Sequence, residues 1–140
     1  MMPRYLLDTN ILSEVIKPTP VHSVINAVAH HKKSLATATI VLHEIMYGCF
    51  RLPPSKRRTN IQQYIETVIL SELPIFPYDE NAARWHAQQR ADLARQGTTP
   101  SFIDGQIAAI AKTNELILVT RNISDFRYFL DLQVENWVDG

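Results

Sequence analysis

The chain has 140 residues, 46% of them apolar and 20% charged, with 14 basic residues matched by 14 acidic ones. That length and composition exclude intrinsic disorder and set the expectation of one domain over residues 1–140, large enough to bury a core unaided. A single cysteine, Cys49, excludes an internal disulfide and a cysteine-rich zinc site. The opening residues lack the apolar core of a signal peptide and no run is long enough to span a bilayer, so a cytoplasmic location without membrane contact is expected.

The first apolar run, Arg4 to Leu7, reads as a buried strand ending in the turn and capping residues Asp8-Thr9-Asn10. A short helix over Ile11 to Ile16 is stopped by Pro18 and Pro20. Val21, Val24, Ile25 and Val28 repeat with a helical period over residues 21–31. Ser34 to Thr37 is a second short strand, after which Thr39 caps a helix reaching Phe50. Pro53-Pro54 opens a further helical stretch, with Ile61, Tyr64, Ile65, Val68 and Ile69 on one face. Ile75-Phe76 is a strand. Asp79 starts a long helix that runs to Gln96 and stops at Gly97. Ser101 to Asn114 is the last helix, with Ser101 as its cap and Asp104 in its first turn. Leu116 to Val119 is the clearest strand, and Leu132 to Trp137 adds an edge strand. Strands alternating with helices give a three-layer α/β/α sandwich around a mainly parallel sheet.

Four acids stand out. Asp8 and Asp125 each follow the carboxyl end of a strand, where open parallel sheets gather their ligands. Each also has an ordinary reading, as a helix cap or a turn. Glu44 has Ile40, Val41, Tyr47 and Gly48 as helical neighbours, so it lies on an apolar stripe; an arginine from elsewhere is the alternative explanation. Asp104 has Ile107, Ala108 and Ala111 along its face, although a first-turn acid also gains from the helix dipole. Taken together, these are positions from which carboxylates converge on one cleft, and only a cation makes that tolerable. Oxygen donors without histidine or cysteine select Mg²⁺, with Mn²⁺ as substitute. His43 points to another side of its helix and is read as structural.

Four segments carry a resemblance: Leu6-Leu-Asp8-Thr-Asn10-Ile-Leu-Ser13-Glu14; Thr39 with Glu44, Ile45 and Gly48; Asp104-Gly-Gln-Ile107-Ala-Ala-Ile-Ala111; and Thr120-Arg-Asn122 with Asp125-Phe126. In order and approximate spacing they resemble the PIN-domain family, and within it the VapC and FitB toxins of bacterial toxin–antitoxin pairs. The resemblance covers nearly the whole chain. It implies a metal-dependent endoribonuclease acting on structured RNA such as tRNA or rRNA. Asp8 and Asp104 match the family's principal magnesium ligands, and Glu44 and Asp125 its other two acidic positions. Those two would complete a second ion or position the attacking water. Thr9 and Asn10 match a segment that shapes the pocket floor, and Thr120 and Asn122 fall in a variable polar region. The resemblance also implies a cognate antitoxin that occludes the site, a homodimer, and a toxin–antitoxin hetero-oligomer.

RNA approaching an acidic pocket needs a basic rim. Net neutrality permits one: four acids gathered at a site leave ten acids against 14 basic residues elsewhere. Arg51, Lys56-Arg57-Arg58, Lys32-Lys33 and Arg121 are the candidates, with Arg121 equally suited to pairing with an acid. Tyr47, Phe50, Trp85 and Phe126 read as core or interface residues. The competing function is a non-catalytic nucleic-acid-binding regulator acting with its antitoxin. An acidic-pocket phosphotransfer domain fits less well. Asn10 stands where a dehalogenase-type phosphatase needs a second Asp, and Thr120-Arg121 where a receiver needs a Lys.

Overall fold

The computed structural model describes residues 2–139, so both end residues of the expected 1–140 domain lie outside the described residues. In chain order the elements are β1 (Tyr5–Leu7), α1 (Thr9–Val15), α2 (His22–His30), β2 (Leu35–Ala38), α3 (Thr39–Phe50) and α4 (Lys56–Tyr64). They continue with β3 (Ile75–Phe76), α5 (Glu80–Arg95), α6 (Phe102–Thr113), β4 (Ile117–Val119) and β5 (Val134–Glu135). The strands form one parallel sheet in the order β3-β2-β1-β4-β5, within an α/β/α arrangement. No helix among the described residues is long and apolar enough to cross a membrane.

The inner strands are covered on both faces, and their sequences show it: every residue of β1, β2 and β4 is buried. The edge strands β3 and β5 are only half-buried. Thr37 is the one polar residue of β2, and its hydroxyl is satisfied by donating to the Leu7 carbonyl at 2.9 Å. Helix α6 runs through the interior, with Gly105 and Ile107 to Ala111 all buried, and it packs on both α5 and α3.

Local signals place several helix ends. Asp79 caps α5 by accepting from the Ala82 N–H at 3.0 Å, and Ser101 caps α6 by accepting from the Asp104 N–H at 3.0 Å. Gly97, at φ 80°, ends α5 in a Schellman arrangement: its N–H reaches the Ala94 carbonyl and the Thr98 N–H reaches Leu93. Three expectations need correction. Thr39 is not a cap; Ala38 occupies the cap position of α3 with no side-chain hydrogen bond. Ser34 belongs to a 3₁₀ turn (Lys32–Ser34), which shifts β2 one residue onward to include Ala38. The helix after Pro53-Pro54 starts only at Lys56, capped by Ser55, and passes through a π turn (Ile65–Ile69) into a last turn, Leu70–Glu72. The wider turn keeps Ile65 and Ile69 buried on one face. Tyr64, just before it, donates to the Leu12 carbonyl at 3.3 Å and ties α4 to α1; burial pushes its hydroxyl up to about 12.

The strand order reverses between β1 and β4. From β1 the chain steps outward through β2 and β3, then returns to the other side for β4 and β5. A crevice opens at such a switch point, outside the carboxyl ends of the strands.

Candidate functional site

Asp8 is the residue at which β1 ends and α1 begins. Its backbone N–H continues the sheet to the Val119 carbonyl at 2.9 Å. Its Oδ1 accepts from the Thr9 N–H at 2.8 Å, and its Oδ2 accepts from the Thr120 hydroxyl at 2.9 Å. The cap expected at Asp8 is thus present, made by the same carboxylate that is expected to serve a metal. Thr120 is fully buried and serves as the hub: its oxygen also accepts from the Asn122 N–H at 3.1 Å and from the Asn10 amide at 3.3 Å. Asn10 returns its own oxygen to the Arg121 N–H at 3.0 Å. Asn10 and Thr120 therefore hold Asp8 in place; Asn10 belongs to the segment expected to shape the pocket floor, whereas Thr120 is a position for which the resemblance gives no definite part.

Asp104 is half-buried in the first turn of α6, and Glu44 half-buried in α3. Asp125 is exposed, in a 3₁₀ turn (Ile123–Asp125) after β4. Among the described residues, none of Asp8, Glu44, Asp104 and Asp125 enters an ion pair, so the arginine expected as the alternative partner of Glu44 is not there. The four acids share one field. Burial raises the Asp8 carboxyl above its ordinary range against the opposing bonds from Thr120 and Thr9, and the charges of Asp125 and Glu44 raise it further. Burial likewise raises Asp104, with Asp125, Asp8 and Glu44 adding to it. They are neighbours rather than a finished cage: among the described residues, no three His, Cys, Asp or Glu side chains group closely enough to hold a metal ion. Like charges oppose a closer approach. The donor chemistry, carboxylate oxygen with no nitrogen or sulfur, fits a hard divalent cation.

A cleft of about 1100 Å³ opens beside these acids, between α1, α3 and the start of α4. Thr9 and Glu44 line it together with Lys17, Arg51, Lys56 and Arg57, over an apolar floor that includes Ile45 and Leu52. Three of the expected rim residues therefore share one cleft. Lys32 and Lys33 do not: they precede β2, at the amino ends of the parallel strands, whereas Asp8 follows the carboxyl end of β1. Arg58 is turned back to the Leu52 carbonyl at 3.2 Å, and Arg121 pairs with Glu14 at 2.9 Å. Phe126 is core, and Trp85 packs against the core beside Phe129. Tyr47 and Phe50 are half-exposed, under the guanidinium groups of Arg51 and Arg58 respectively. His43 is exposed and stacks on Tyr47.

The acid that sequence reasoning missed is Glu14. It is 1% exposed, and its carboxylate receives Lys17, Arg121 and the Val21 N–H. Those donors, with the Lys17 ammonium foremost, hold it below its ordinary range despite burial. Lys17 at i+3 was the one local signal; the Arg121 partner is 107 positions away.

Comparison with known families places this geometry. The PIN domain profile matches residues 5–128. The chain belongs to the PIN-domain family. It is 31% identical over 138 residues to Ribonuclease VapC2 of Haemophilus influenzae, covering 98% of this chain and 100% of that protein. It is also 31% identical over 137 residues to the tRNA(fMet)-specific endonuclease VapC of Salmonella typhimurium, covering 97% and 99%. Among solved structures, FitAB bound to an IR36 DNA fragment superposes with a TM-score of 0.87 at 29% identity, covering 99% of this chain and 96% of that one. The PIN fold thus accounts for the sheet order and for the end of the sheet at which Asp8 and Asp125 emerge.

Proposed function

We propose that this PIN domain is a divalent-metal-dependent endoribonuclease, the toxin of a toxin–antitoxin pair, cutting structured RNA such as tRNA in the cytoplasm. The observation that carries the reading is the set of four unpaired carboxylates in one field at the switch point of a parallel sheet. Asp8 and Asp104 are the principal ligands of Mg²⁺ or Mn²⁺ in this reading, with Glu44 and Asp125 as the other two acids. Bound there, such a cation polarises the scissile phosphate and activates water. The chain's own contribution is orientation. The Thr9 N–H and the Thr120 hydroxyl fix the two oxygens of Asp8, and the Ser101 cap fixes the turn that presents Asp104. Asp125, exposed in the turn after β4, orients the attacking water in this reading and takes its proton on a carboxylate oxygen. Arg51, Lys56 and Arg57 supply phosphate contacts along the cleft.

An antitoxin partner and a toxin–antitoxin hetero-oligomer are supported by the likeness to the FitAB assembly, and a homodimer within it is part of the same proposal. DNA binding belongs to that neighbouring assembly, and the unpaired acids favour catalysis over a purely regulatory role. The test is Asp8→Asn, which removes one charge at nearly constant shape. Cleavage of a tRNA substrate in Mg²⁺ should fall by at least about 10²-fold with the circular dichroism unchanged. Wild-type cleavage by a folded Asp8→Asn protein removes the assignment.

A further inference from the structure

Glu14 closes the first segment that resembles the family but is not one of its four acidic positions, and it is the most deeply buried carboxylate among the described residues, at 1% exposure. It sits on α1, six residues beyond Asp8. One oxygen receives both the Lys17 ammonium and the Arg121 guanidinium at 2.9 Å, and the other receives the Val21 N–H at 3.0 Å. Both cations border the acidic site. Lys17 lines the same cleft as Glu44 and Thr9. Arg121 follows Thr120, whose hydroxyl holds Asp8, and its own N–H is bound by Asn10. Their side chains are 49% and 41% exposed, and among the described residues Glu14 is the one polar group that each side chain bonds.

A long cationic side chain free to move beside unpaired carboxylates will pair with them. We infer that Glu14 is a positioning residue that withholds Lys17 and Arg121 from Asp8, Glu44, Asp104 and Asp125, keeping those acids open to a divalent cation. The same contact ties α1 to the loop after β4, so the two segments that meet at Asp8 are fixed by one carboxylate. The inference rests on the metal-dependent reading above and adds to it an internal competitor for the metal site.

The experiment measures Mn²⁺ binding to the full chain without RNA, by loss of the free-ion electron paramagnetic resonance signal, alongside thermal melting. Glu14→Gln keeps shape and removes the charge. It should weaken Mn²⁺ binding about ten- to a hundredfold, the range seen when a partner outside the ligand shell is lost. Adding Lys17→Gln and Arg121→Gln to Glu14→Gln should return the affinity to within about threefold of wild type, because no competitor remains. A purely structural role predicts the opposite, further loss in the triple variant, and that result overturns the inference. Unchanged Mn²⁺ affinity in folded Glu14→Gln overturns it too. Should Glu14→Gln fail to fold, Ser13→Lys supplies the second arm, since Ser13 lines the cleft and the new ammonium meets a Glu14 already committed to two cations. A similar loss of Mn²⁺ affinity supports the inference, and no loss overturns it. Failure of the wild type itself to bind Mn²⁺ removes the metal reading and the inference with it, whereas wild-type binding with no loss in the variants removes the inference alone.

Discussion

Asp8 caps α1 through Oδ1 and is, in the proposed function, a metal ligand through the same carboxylate, and the two roles respond differently to charge. Capping needs only an acceptor, which Asn also supplies. The negative charge is what burial, Asp125 and Glu44 oppose. A carboxyl raised in the folded state contributes stability that is fully present below its unfolded value and lost as pH rises through the folded one. At neutral pH the charged Asp8 and Asp104 therefore weaken the fold. Asp8→Asn should melt at a higher temperature than wild type at pH 7, and the gain should shrink as pH falls and vanish below the ordinary aspartate range, where the carboxyl is protonated in both folded and unfolded chains. Scanning calorimetry across that range checks both signs. Glu14 behaves oppositely: its carboxyl is lowered, so its contribution is present above its unfolded value and lost as pH falls through the folded one.

Helices α5 and α6 are joined where His86 lies against Gly105, the residue after Asp104. A methyl group at 105 would overlap the imidazole, which is 3% exposed, shares a 2.8 Å hydrogen bond with Tyr78 and packs on Phe102. Burial, with help from Arg90, holds its pKa low. Gly105→Ala should cost about 2 kcal/mol or more by overpacking, and His86→Ala about 3 kcal/mol through its cavity. Since the new methyl fits the space the ring leaves, the double variant should lose at least about 1 kcal/mol less than the sum, measured by urea unfolding. This element pair also shows what was legible. The cap at Ser101, the first-turn Asp104 and the stop at Gly97 are local chemistry and stand in the sequence. The contact that fixes α6 joins positions far apart, and Gly105 carries no local mark of it. The π turn at Ile65–Ile69 is similar: the isoleucines four apart announce a helix, while the extra residue per turn answers to packing.

Zero net charge conceals a strong separation. The acids collect at the switch point, and Lys17, Arg51, Lys56 and Arg57 collect in the adjoining cleft. RNA affinity measured without divalent metal should fall steeply with salt, and Lys56→Gln with Arg57→Gln should lower the log–log slope by about 1.4, the value for two phosphates of a single strand. Fluorescence anisotropy over a potassium chloride series measures it. At this scale the alternation of strands and helices made the architecture readable, and the four acids were readable as anomalies against their apolar neighbours. That Arg121 could pair with an acid was readable, but not that the acid is Glu14, because the two lie 107 positions apart.

The Thr120 hydroxyl that aims Asp8 stands 112 positions downstream of it, and the Thr120 N–H is itself held by the Glu135 carbonyl of the outermost strand. The aim of Asp8 thus hangs on a relay that runs from β5 through Thr120 to β1, and loosening the outermost strand would slacken a carboxylate two strands away.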